Sequence, residues 1–128
     1  MSDFNDPTPI ATQEQYRAAL LAARQRMTDV QLKLLQAHCR SANHATSIDR
    51  VAELIGLPNP SGARTAYSNY AHSVADELKF VPATVSKKPV WLFAIAYGQP
   101  DANGKLDGDY EWIMRPELVS ALEAMKWA

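Results

Sequence analysis

The chain has 128 residues, 47% of them hydrophobic, and a formal net charge of −1 at pH 7. That length supports one modest core and leaves no material for a second. The single cysteine, Cys39, excludes an internal disulfide and fits a reducing compartment.

The longest apolar stretch, residues 90–97, is too short to cross a bilayer. The opening MSDFNDPTPIA is acidic and proline-broken, where a signal peptide needs a basic and then an apolar region. A soluble cytoplasmic protein with no membrane partner is therefore expected. Charge is unevenly spread: residues 24–88 carry nine Lys/Arg against five Asp/Glu, between acidic ends. A basic middle suits phosphate contacts even though the net charge does not. Chance scatter of solvated charges explains an offset of this size equally well.

Residues 1–11 read as a flexible lead-in. Thr12 with Gln15 has the form of a capping box, and Tyr16, Ala19, Leu20 and Ala23 follow at helical spacing. Thr28 with Gln31 repeats the signature ahead of a second helix through Leu34 and Leu35. Arg24, Gln25 and Arg26 fall at the turn, where the end of a helix dipole favours positive charge. CRSANHATS reads as a loop. Ser47 then caps a third helix, Ile48 to Ile55, which Gly56 closes in the left-handed position. Pro58 and Pro60 delay the fourth helix, predicted from about Gly62 to Leu78 with Ser61 as its cap.

Beyond Lys79, PATVSKKP is a connector and VWLFAIAY reads as a strand buried on at least part of both faces. Asn103-Gly104 and Asp107-Gly108 are turn dipeptides, and residues 109–115 return as an antiparallel partner. Pro116 opens a closing helix that runs to Trp127. The expected fold is helix-rich α+β: a helical bundle with a helix-turn-helix-like pair, a wing-like C-terminal hairpin and a closing helix, forming one domain over residues 12–128.

The third and fourth helices carry the main functional signal. A recognition helix needs hydrogen-bonding residues near its start, and Arg64, Thr65, Ser68 and Asn69 stand there. Arg64 suits guanine O6 and N7, and Asn69 suits adenine N6 and N7. Arg50, Lys79, Lys87 and Lys88 are candidates for phosphate contacts. A solvated helix face joined by a stiff loop is the plainer explanation of the same residues, and the joint is longer than the usual turn. Tyr67, Tyr70, Trp91, Tyr97, Tyr110 and Trp112 form an aromatic set for which core packing is the default and a base-stacking wall the alternative.

His38, Cys39, His44 and His72 do not make a convincing zinc set. Asp101, Asn103, Asp107 and Asp109 resemble a calcium loop in composition but lack its spacing and final glutamate. No glycine-rich phosphate loop and no Ser/His/acid triad is visible. Neither a metal, nor a cofactor, nor a catalytic residue is expected.

Three stretches, LLQAHCRSANHATS, VAELIGLPNPSGARTAYSNYAHSVADEL and YEWIMRPELVSALEAMKW, resemble a group of small uncharacterised bacterial proteins and modules, some of them joined to HNH-type restriction nucleases. The resemblance implies a nucleic-acid or defence setting in a bacterium or mobile element. It does not extend to the nuclease part, so cleavage is not implied. The leading expectation is a non-enzymatic module that binds double-stranded DNA, specific or modified, and a homodimer is compatible with it. The alternative is a protein-binding inhibitor or adaptor, such as a phage anti-defence protein acting on a defence complex. Near-neutral charge suits that alternative, because protein interfaces need no phosphate neutralisation.

Overall fold

Both capping boxes form. At the start of α1 (Gln13–Ala23) Thr12 Oγ1 accepts from the Gln15 amide at 3.1 Å, and Gln15 Oε1 accepts from the Thr12 amide at 2.8 Å. Thr28 and Gln31 repeat the exchange at 3.1 and 3.0 Å ahead of α2 (Asp29–Arg40). Each pair satisfies two amides that a helix start would otherwise orphan. Arg24–Arg26 between them is an exposed 3-10 turn. These elements belong to a computed structural model that describes residues 8–82, 84–85, 87–98 and 111–128. The expected turns at 103–104 and 107–108, the acidic residues around them and Tyr110 lie outside the described residues.

Ser47 caps α3 (Ile48–Leu54), as its position suggests, by accepting from the Arg50 amide at 3.2 Å. The helix stops on Gly56 at φ 80°. Gly56 N–H donates to Glu53 O at 3.1 Å and Leu57 N–H to Ala52 O at 2.9 Å, a pair of bonds that needs a left-handed residue between them.

α4 (Pro60–Leu78) begins two residues earlier than the sequence reading placed it, and Asn59, not Ser61, is its cap: Asn59 Oδ1 accepts from the Ser61 amide at 3.0 Å. Proline in a first helical turn forfeits no hydrogen bond, so Pro60 starts the helix where it was expected to delay it. α4 and α5 (Pro116–Ala124) end in the same way as α3, with Lys79 at φ 58° and Lys126 at φ 60° in the glycine-like position. α5 therefore stops short of Trp127, which was expected to extend it.

Strands β1 (Ala45–Thr46), β4 (Ala96–Gly98) and β5 (Trp112–Met114) make an antiparallel sheet in the order β1-β5-β4. Ile113 pairs with Ala45 on one side and Tyr97 on the other. The expected hairpin thus takes a third strand from CRSANHATS, which had been read as a loop. β2 (Thr84–Val85) and β3 (Lys88–Pro89) form a separate ribbon, with Lys87 at φ 66° in its turn.

The predicted strand over VWLFAIAY is corrected. Trp91–Ala94 is a 3-10 helix, and only Ala96–Gly98 is extended. Side chains take the carbonyls that a ladder would have used: Arg115 Nε donates to Phe93 O at 2.9 Å and the Tyr16 hydroxyl to Ala94 O at 2.6 Å.

The result is a helix-rich α+β fold around a small three-stranded sheet. α4 is its centre, packed on α1, α2, α3 and the 3-10 segment at 91–94. Tyr16, Leu20, Leu34, Tyr67, Val74, Ile95, Met114 and Leu122 are among the fully buried side chains. The last residues of the expected lead-in also dock: Ala11 is buried, and Thr8 O accepts from Arg115 at 2.9 Å. Among the described residues no helix is long and apolar enough to cross a membrane.

Candidate nucleic-acid interface

α4 has three faces, set by side chains recurring every three to four positions. Ala63, Tyr67, Tyr70, Ala71 and Val74 are buried and fix the helix in the core. Ser61, Thr65 and Asn69 are exposed at intervals of four. Arg64, Ser68 and His72 are half-buried at the same interval. The single polar face read from the sequence is therefore two neighbouring stripes. One is open to solvent, and the other is turned towards residues 89–92.

Two contacts define the second stripe. Arg64 Nη1 donates to Asp49 Oδ1 on α3 at 2.6 Å, with the two side chains 41% and 31% exposed. The His72 imidazole stacks on the Trp91 indole with ring centroids 3.7 Å apart and planes 8° from parallel. Between these contacts lies a cleft of about 230 Å³, lined by Ile48, Arg64, Ser68, Trp91 and Trp112, with residues 89–90 along its edge. No hydrogen bond from the Ser68 hydroxyl to another described residue is present. Asp49 is the member of this site that sequence reading missed, since nothing local at position 49 announces a partner in the next helix.

The expected phosphate contacts are spread over three elements. Arg50 is exposed on α3, where it borders an open cleft of about 390 Å³ with Thr46, Ser47, Leu54 and Glu111. Lys87 is exposed in the ribbon turn, next to the residue pair 89–90 of the first cleft. Lys88 belongs to β3 by its backbone. Lys79 stands at the far end of α4, about 22 Å along the helix axis from Arg64 at the standard rise per residue.

A buried polar contact holds the helix that presents these groups. His38 on α2 has its Nε2 2.9 Å from Trp112 O and its Nδ1 2.7 Å from the Tyr67 hydroxyl. A carbonyl only accepts, so Nε2 carries the proton, and in the neutral ring Nδ1 accepts from Tyr67. Burial pulls the His38 pKa from its ordinary 6.5 down to about 4, against the opposing pull of the Trp112 carbonyl. One imidazole thereby ties α2, α4 and β5 together.

With both ring nitrogens engaged, His38 has no lone pair for a metal. His44 uses Nδ1 on Cys39 O at 2.6 Å, and burial raises the Cys39 thiol pKa. Among the described residues no group of three His, Cys, Asp or Glu side chains is placed to hold a metal ion. Of the aromatic set, Tyr67 and Tyr70 are core, Trp91 and Trp112 line the cleft, and Tyr97 lies 5.9 Å below the Arg115 guanidinium. No protein-family model, curated protein or solved structure matches this chain.

Proposed function

We propose that the chain is a non-enzymatic module that binds double-stranded DNA through the N-terminal half of α4, with α3 bracing it in the manner of a helix-turn-helix. A single observation carries this reading: Ser61, Thr65 and Asn69 stand exposed at intervals of four on a helix whose opposite side is anchored in the core. Eight residues of helix span about 12 Å, the rise of three to four base pairs at about 3.4 Å each. An uncharged row of hydroxyl, hydroxyl and amide suits base edges in the major groove.

Arg50 on α3 and Lys87 in the ribbon turn are exposed cations suited to phosphates, and Lys88 follows Lys87 in sequence. Phosphate contacts position a protein and base contacts specify its site. Arg64 has a different part, because Asp49 already neutralises it. In this reading the paired strands β4 and β5 take the part of a wing, and the setting is the bacterial or mobile-element defence context that the sequence resemblance implies.

Gel-shift titrations against random, methylated and unmethylated duplexes at two salt concentrations test the proposal. Binding that weakens with salt, and that Asn69→Ala and Thr65→Ala reduce, is the expected result. No shift with any duplex at low salt sinks it.

A protein partner is the second reading, favoured by Leu54, which is 61% exposed beside Arg50 on the α3 cleft. An inhibitor or adaptor of that kind would be recovered from host extract with a stoichiometric partner that survives nuclease treatment.

A further inference from the structure

We infer that the cleft beside α4 receives one nucleobase turned out of a DNA strand, with guanine the best fit. The inference rests on the proposed DNA-binding role of Thr65 and Asn69 and names what the neighbouring stripe would hold.

Size comes first. At about 230 Å³ the cleft is smaller than the roughly 300–1,000 Å³ typical of sites that enclose a whole drug-sized ligand. A single ring system suits it better. Its described lining combines the half-buried Trp91 and the buried Trp112 with the polar Arg64 and Ser68. Trp91 is held in plane by His72 at 3.7 Å, so its ring orientation is set before any ligand arrives. Aromatic side chains are the usual platform for an unstacked base, since every base has a π face.

Charge then separates a base from a phosphate. Among the described lining residues Arg64 carries the positive charge, and that charge is matched by Asp49 at 2.6 Å. A phosphate brought there would meet the carboxylate as well as the guanidinium. A neutral base meets no such penalty and still finds donors, because guanidinium has five N–H groups and the Asp49 bond uses one. Arginine donors match the O6 and N7 acceptors of guanine. Ser68 adds a hydroxyl that both donates and accepts.

Position gives the third argument. Arg64 and Ser68 immediately precede Thr65 and Asn69 on the same helix. A duplex lying along the exposed stripe would pass over the mouth of the cleft. Extruding a base is least costly where it is already unpaired, so the expected substrate is a duplex interrupted at one guanine.

The test uses fluorescence anisotropy with three labelled duplexes: fully paired, carrying one bulged guanine, and carrying an abasic residue at the bulge. The expected result is about tenfold tighter binding of the guanine bulge than of the abasic bulge, the size of one base-stacking contact. Trp91→Leu and Ser68→Ala should each shrink that ratio. Ser68→Ala, which leaves every ring in place, keeps the test decisive if Trp91→Leu fails to fold by circular dichroism. Equal affinity for the two bulges, with the paired duplex still bound, overturns the cleft assignment and spares the DNA-binding proposal. Failure to bind any of the three removes both.

Discussion

Arg64 reaches from α4 to Asp49 on α3 at 2.6 Å, so the candidate recognition helix and its bracing helix share one matched pair of charges at the mouth of the cleft. A guanidinium in that state adds little to the attraction of a polyanion. Its charge becomes available only when the carboxylate is removed.

Asp49→Asn should therefore strengthen binding to paired duplex at low salt and steepen the plot of log affinity against log salt by about one unit, the contribution of one added phosphate contact. Folding stability should change by no more than about 1 kcal/mol, since a half-exposed ion pair contributes little. Affinity measured across a salt series decides the matter: an unchanged slope means that Arg64 does not face the DNA.

Two tyrosines three positions apart on α4 should respond oppositely to loss of their hydroxyls. Tyr67 donates to His38 at 2.7 Å, whereas the buried Tyr70 hydroxyl has no partner among the described residues. Tyr67→Phe strands the His38 Nδ1 and should cost about 1–3 kcal/mol. Tyr70→Phe removes an unsatisfied polar group and should be neutral or stabilise by about 1 kcal/mol. Urea melts of the two variants, compared side by side, give the signs directly.

His38 makes stability depend on pH in one direction. Its folded pKa of about 4 lies below the ordinary 6.5, so the unfolded chain takes up the proton first. Stability from this residue is full above pH 6.5, falls as pH drops towards 4 and levels off below that. The whole step is about 3 kcal/mol at 1.36 kcal/mol per unit. His38→Asn should be less stable at pH 7 and should lose most of the decline between pH 6.5 and 4. A decline of undiminished size would assign it to other groups.

Two glycines should also differ in sign when changed to alanine. Space is open at both, with no heavy atom within 4 Å of an added Cβ. Only the backbone differs. Gly56 lies at φ 80°, where an L side chain costs roughly 1–2 kcal/mol. Gly62 is within α4, where alanine should add about 0.5–1 kcal/mol. Thermal melts of the two variants should move to opposite sides of the parent.

Three helix starts proved the most legible feature, because each is written within four residues: Thr12 with Gln15, Thr28 with Gln31, and Ser47 ahead of Ile48. The glycine stop at position 56 was readable for the same reason; the start of α4 was not, since Pro60 reads equally as a break. VWLFAIAY misled because a run with no polar residues has no period, and its true form depends on distant partners. Tyr16 and Arg115 take the carbonyls of Ala94 and Phe93, and neither is near them in sequence. β1 is two residues long and exists because β5 lies alongside it.

The candidate site divides in the same way. Thr65 and Asn69 were placed on the exposed side of the helix by spacing alone. That Arg64 and Ser68 turn towards Trp91 depends on where residues 89–92 return, which no local pattern records. Lys79 holds the left-handed turn that stops α4, a backbone role that nothing in the local sequence announces.

The order β1-β5-β4 puts the last strand of the chain in the middle of the sheet. As the polypeptide emerges from the ribosome, Ala45 and Thr46 have no strand to join until Trp112 and Ile113 are made, and the His38 ring waits equally long for its carbonyl. Contacts so distant in sequence form slowly, so the sheet and the His38 contact can close only once the segment around Trp112 is present. Until then the nascent chain exposes the surface on which chaperones and proteases act.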